Sequence, residues 1–96
     1  MVVRLHPDAL TEFREAVAFY EDRAPGLGRE FFAEVQRVLS AIGANPSMGS
    51  PLDSPYRRFL CRRFPFGVVY REDVEGVLVQ AVMHLRRRPG YWRDRG

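Results

Sequence analysis

The sequence predicts an α+β fold in the order β-α-α-β-β-β, a helical hairpin packed on one face of an antiparallel four-stranded sheet. Three observations carry this. Apolar residues recur at helical spacing twice in the first half, the period changes to two after residue 55, and a proline- and glycine-rich stretch, GANPSMGSPLDSP over residues 43–55, lies between. The helical hairpin is expected to return the chain to the end where the first strand finished. The next strand then runs antiparallel to the first, and the rest follow as a meander.

Taken in order, Val2–Leu5 is a short apolar run closed by His6, Pro7 and Asp8. Proline suits the first helical turn because its missing N–H has no partner there anyway. From Asp8 to Arg23, Leu10, Phe13, Val17 and Tyr20 fall three, four and three residues apart, which aligns them on one stripe, with Glu12, Glu15, Glu21 and Asp22 on the other side. Ala24, Pro25 and Gly26 interrupt the helix. In the second helix Phe31, Val35, Val38 and Ile42 form the stripe, Phe32 and Leu39 widen it, and Gly43 offers a C-cap. The 43–55 stretch reads as a loop long enough to be mobile or functional. Arg57–Arg63, Gly67–Arg71 and Val77–Leu85 then read as strands separated by turns at Phe64–Phe66 and Glu72–Gly76. In the last strand Val77, Val79, Ala81, Met83 and Leu85 should face the helices, leaving Leu78, Gln80, Val82, His84 and Arg86 on the open face.

Length and composition set the outer limits. A chain of 96 residues, 46% apolar, is expected to form one domain over residues 1–96 with a packed core. No run approaches the ~20 apolar residues of a membrane helix, and the N-terminus lacks the apolar stretch of a signal peptide. A cytoplasmic protein is expected. The single Cys61 forms no internal disulfide and reads as a small buried hydrophobe without a functional role.

All 15 basic residues are arginine, and there is no lysine. Residues 1–48 hold five arginines against seven acids, whereas residues 49–96 hold ten against five, so the strand-rich half should attract an anion. The open sheet face is the candidate site. Depending on register it displays Arg58 and Arg62 or Arg57 and Arg63, with Arg71 and Arg86, followed by Arg87, Arg88, Tyr91, Trp92 and Arg93. Arginine forks suit phosphates and flat aromatic rings suit bases. The alternative for Tyr91 and Trp92 is a C-terminal plug docked on the helices, and for the arginines a solvated basic edge. His84 is the candidate general acid or base, or else a hydrogen-bonded structural residue. His6 reads as a helix-start residue. Asp8/Glu12 and Glu30/Glu34 are carboxylate pairs one turn apart, a poor metal site, and neither metal nor cofactor is expected.

Several segments also carry a resemblance. Leu5-His6-Pro7-Asp8-Ala9, Phe19-Tyr20-Glu21, Leu27-Gly28-Arg29-Glu30-Phe31, Ile42 with Asn45-Pro46, Tyr56-Arg57-Arg58-Phe59, Phe64 to Tyr70 and Ala81 to Trp92 occur in an order and spacing that resemble the RelE/ParE superfamily of type II toxin–antitoxin toxins. The pattern is closer to the ParE-type branch and covers nearly the whole chain. The resemblance implies the same β-α-α-β-β-β fold and a bacterial growth-inhibiting toxin, neutralised by a cognate acidic antitoxin in a hetero-oligomer. ParE-type toxins poison DNA gyrase. RelE-type toxins cut messenger RNA on the ribosome without a metal, and on that alternative His84, Arg62, Arg63, Arg86 and Tyr91 are the residues carried over as catalytic. The lysines typical of RelE sequences are absent, and a relative kept only as an antitoxin-binding or repressor subunit is a further alternative.

Overall fold

The computed structural model describes residues 1–96. Its elements are β1 (Val3–Leu5), α1 (Pro7–Arg23), α2 (Leu27–Ala44), β2 (Ser50–Asp53), β3 (Tyr56–Leu60), β4 (Phe66–Asp73) and β5 (Gly76–His84). The α+β class and the helical hairpin are as expected. The sheet has five strands instead of four, in the order β1-β5-β4-β3-β2.

The extra strand explains the second difference, in direction. β2 pairs antiparallel with β3, β3 with β4 and β4 with β5, and β1 closes the other edge parallel to β5, with Val3 opposite Val77 and Leu5 opposite Val79. The strand that reverses the chain after the hairpin is therefore β2, and Arg57 and Arg58 lie on a strand running the same way as β1. β2 escapes pattern reading because all four of its residues are exposed and it contains Pro51, which is tolerated at a sheet edge. The 43–55 stretch is also tied down. The buried Tyr70 hydroxyl accepts from Gly49 N–H at 2.8 Å and donates to the Pro46 carbonyl at 2.7 Å.

His6 caps α1, its Nδ1 accepting from the Asp8 amide at 3.0 Å. At the hairpin turn, Gly26 adopts φ +86°, a left-handed conformation that suits glycine. The Glu21 carboxylate accepts from the Gly26 and Gly28 amides and so satisfies the start of α2. A Cβ on Gly28 would meet the Val17 carbonyl oxygen at 2.6 Å, so the helices approach closely there. α2 runs one residue past Gly43, to Ala44, with Asn45 as its C-cap.

Two apolar clusters flank the sheet. The larger lies beneath the helices and joins Phe13, Phe31, Val35, Val38 and Ile42 to Phe64, Phe66, Val68, Tyr70, Val77, Val79 and Val82. The smaller lies on the opposite face and contains Val69, Ala81, Met83 and Trp92. Val77 and Val79 face the helices as expected, but Ala81 and Met83 face away and Val82 faces inward. The cause is a β-bulge. Tyr70 pairs with Val79 and Val69 with Ala81, so Gln80 is an extra residue in β5 and every side chain after it changes face.

Candidate functional site

The bulge moves His84 off the open face. His84 pairs with Phe66 in the sheet, and their rings meet edge-on at 5.2 Å, at the margin of the helix-side core. Its Nδ1 accepts from the Arg86 amide at 3.0 Å. That bond ties the ring to the backbone of the turn after β5. Both histidines of the chain do the same local task, accepting an i+2 amide through Nδ1.

The open face itself is covered by the C-terminal segment. Trp92 is 1% exposed, packed on Val69, Ala81 and Met83 with the Tyr56 ring at 4.6 Å. The plug expected for Tyr91 and Trp92 exists, but Trp92 docks on the sheet face away from the helices, and its ring is not available for stacking on a base. The tail is held by residues that pattern reading did not single out as functional. Glu12 and Arg95 form a bidentate pair, Oε1 to Nη1 at 2.8 Å and Oε2 to Nη2 at 2.8 Å, with each side chain 13% exposed. Tyr91 Oη donates to Glu12 Oε2 at 2.6 Å. The Gln80 amide donates to the Trp92 and Arg95 carbonyls at 3.1 and 3.0 Å.

This arrangement follows from the shortness of β1. The edge of β5 has main-chain partners while β1 and its neighbours run beside it, the last being His6 N–H to the Val79 carbonyl at 2.9 Å. Beyond that, side chains substitute for a strand: Arg95 Nη1 donates to the Gln80 carbonyl at 3.0 Å and the Glu12 carboxylate accepts from Val82 N–H at 3.1 Å. Burial opposes ionisation of Glu12, but Arg95, Tyr91 and the Val82 amide outweigh it and hold the carboxyl below its usual range. Burial, reinforced by that carboxylate, pushes the Tyr91 phenol far up, so it keeps its proton.

The arginines divide into groups. Arg57 lies opposite Tyr70 and donates to the Gly49 carbonyl at 2.8 Å, a structural contact with the loop. Arg58 lies opposite Val69 and so belongs to the open face, which settles the register in favour of Arg58. Arg62 and Arg63 lie past the end of β3, beside α2. The Arg62 amide donates to Glu34 at 2.6 Å, Arg63 pairs with Glu30 at 2.9 Å, and Arg63 has φ 69°. Arg71 sits 4.0 Å from Asp73, both of whose carboxylate oxygens accept from Arg4 Nη2. Arg86 and Arg88 are exposed on the turn after β5. Arg87 lies over the Tyr91 ring at 3.9 Å, and Arg93 pairs with Asp53 at 2.8 Å. The structure thus brings together Arg58, Arg87, Trp92 and Arg93, while the Arg63 and Arg57 side chains are engaged elsewhere and Arg62 lies beside α2.

Cys61 is partly buried beside Glu34, and burial first, then that carboxylate, pushes its thiol up to about 11. Alkylation by iodoacetamide at pH 8 is expected to run roughly 100-fold slower than for an ordinary thiol, because so little thiolate is present. A rate matching free cysteine would contradict the burial of Cys61.

A five-stranded mixed sheet under a helical hairpin, with arginines gathered on the face away from the helices, defines a small α+β protein. The family described as ParE toxin of the type II toxin–antitoxin system parDE matches residues 3–89. Toxin ParE2 of Mycobacterium tuberculosis, strain CDC 1551 / Oshkosh, is 31% identical over 88 residues, covering 91% of this chain and 84% of that protein, and the same toxin from strain H37Rv matches equally. A solved structure from the chromosomal ParDE system of P. aeruginosa superposes with a TM-score of 0.65 at 17% identity, over 88% of this chain and 95% of that one; it shows likeness of fold. The chain belongs to the ParE toxin family and is the toxin component of a type II toxin–antitoxin system. No helix is long and apolar enough to cross a membrane.

Proposed function

We propose that this toxin arrests growth by binding its target in the cytoplasm without cutting it, that the target is DNA gyrase, and that a cognate acidic antitoxin neutralises it in a hetero-oligomer. The observation that carries the first part is that both proton-transfer candidates, His84 and Tyr91, are held in hydrogen bonds of the fold itself. Cleavage of RNA through its 2′-hydroxyl needs a proton acceptor as well as cations. His84 has its Nδ1 engaged by the Arg86 amide, Tyr91 donates to Glu12, and arginine keeps its proton at any physiological pH. Membership of the ParE toxin family, whose branch the sequence resemblance associates with gyrase, supports the gyrase reading. The ten arginines against five acids in residues 49–96 support an acidic antitoxin, whose disordered segment orders on this surface.

Induced expression without antitoxin is expected to stop growth with double-strand DNA breaks and filamentation, while messenger ends stay unchanged. His84→Ala is expected to retain that arrest within about two-fold. New messenger ends that disappear in His84→Ala would instead support the ribonuclease alternative, and harmless expression would support a retained antitoxin-binding subunit. The product of the neighbouring small gene is expected to co-purify with the toxin; recovery of the toxin alone counts against the partner.

A further inference from the structure

We propose that the cleft between β3, the turn after β5 and the C-terminal segment is a binding site for a phosphate group, held by Arg58, Arg87 and Arg93. These three arginines come from separate parts of the chain and line one concavity of about 110 Å³ whose apolar walls include Met83, Leu85 and Trp92. Their charge is poorly compensated. Arg58 has no carboxylate within 4.0 Å, and the carboxylate nearest Arg87, on Glu12 at 4.0 Å, is already held bidentately by Arg95. Arg93 alone has an acid of its own, the half-exposed Asp53. An anion entering the cleft meets excess positive charge against a wall of low polarity, where guanidinium forks act most strongly.

Size and geometry select the anion. The cleft is well below the ~300 Å³ at which pockets for drug-sized molecules begin, so it takes a compact group and not a nucleobase. A carboxylate offers two oxygens and is satisfied by one fork, as Glu12 is by Arg95. Arginines contributed by three separate segments can together serve the several oxygens of a phosphate, with Arg87 turning from the Tyr91 ring to do so. Gly90, Trp92 and Arg93 also lie beyond residue 89, where the match to the ParE toxin family ends, so one wall of the cleft is built by residues outside that match. The proposal goes beyond the gyrase reading and is tested on purified protein with no target present, so the two can fail separately.

Trp92 is the single tryptophan and lines the cleft, so its fluorescence reports occupancy. Titration of the full chain with inorganic phosphate at constant ionic strength is expected to give a saturable change that chloride does not. Arg58→Gln and Arg87→Gln are expected to weaken phosphate at least ten-fold, and Arg58→Lys to weaken it less. Arg23→Gln, whose guanidinium lies over Phe19 at the hairpin end, is expected to leave it unchanged. Thermal unfolding confirms that each variant folds; should Arg58→Gln not fold, Arg93→Gln and the lysine variant decide. A short single-stranded oligonucleotide that competes with phosphate and is weakened by Arg58→Gln identifies a nucleic-acid backbone as the source. Failure of the oligonucleotide to compete, with inorganic phosphate still bound, identifies a small free oxyanion. The proposal is overturned by equal responses to phosphate and chloride, by folded Arg58→Gln and Arg87→Gln proteins that bind as the parent does, or by a polyglutamate peptide that displaces phosphate and binds more tightly than the oligonucleotide.

Discussion

Phe31→Ala lowers the unfolding free energy by about 4 kcal/mol, the range for removing a buried phenyl ring from a packed core. Phe31 is fully buried, and its ring is the hub of an aromatic cluster, with centroids of Phe66, Tyr20, Phe64 and Phe13 at 4.8, 5.1, 5.2 and 6.1 Å. These partners come from α1, from the turn after β3 and from β4, so the cavity left behind borders both helices and the sheet and collapses poorly. A small domain holds only about 5–15 kcal/mol in total, so the variant is expected to be partly unfolded at modest denaturant. Urea unfolding should show a lower midpoint at an unchanged slope. A loss below about 1 kcal/mol would mean that the cluster is not packed as described.

Glu12→Ala is the second large effect, at about 3 kcal/mol, because removing one partner of a buried pair leaves the other uncompensated. It strips Arg95 of its bidentate acceptor, Tyr91 of its hydroxyl acceptor and the Val82 amide of its only edge partner. Glu12→Gln retains an acceptor for Val82 N–H and loses the charge, so it should cost less. The pair also predicts a pH dependence. A carboxyl held below its unfolded value of about 4.5 contributes its full stability above that value and loses it as the pH falls through the lower, folded value. Asp73, held down by its hydrogen bond from Arg4, and Glu34, held down by its bond from Arg37, act in the same direction. Between pH 5 and pH 3 the parent is therefore expected to lose stability more steeply than Glu12→Gln. Equal slopes would remove Glu12 from the acid transition.

Both effects bear on what was legible from residue order. The helices were readable because Leu10, Phe13, Val17 and Tyr20, and then Phe31, Val35, Val38 and Ile42, keep the helical spacing, and most of them are buried or half-buried in the structure. β2 was not, since an exposed edge strand containing proline carries no alternation. The switch of face along β5 was hidden for a different reason. A bulge adds one residue without changing the apolar character of the run, so Val77 to Met83 reads as an uninterrupted strand while its second half is inverted. That one residue separated His84 from the open face and placed Met83 under Trp92. Of the candidate site, Arg58, Arg87 and Arg93 share one cleft, whereas Arg63 pairs with Glu30 of α2 and Arg62 is tied there through its backbone amide. The Glu12–Arg95 pair spans 83 residues, and no local pattern announces a contact of that range.

The way the edge of β5 is finished also makes one backbone amide informative in solution. Val82 N–H is protected by a carboxylate and not by a neighbouring strand, and the arginine and tyrosine that hold that carboxylate in place both belong to the C-terminal segment. When the segment lifts, Val82 loses its shield while its neighbours, paired with β4, keep theirs. Its deuterium uptake therefore clocks the lifting and reclosing of the tail separately from global unfolding, and gives a residue-level measure of how often the lower sheet face is bare.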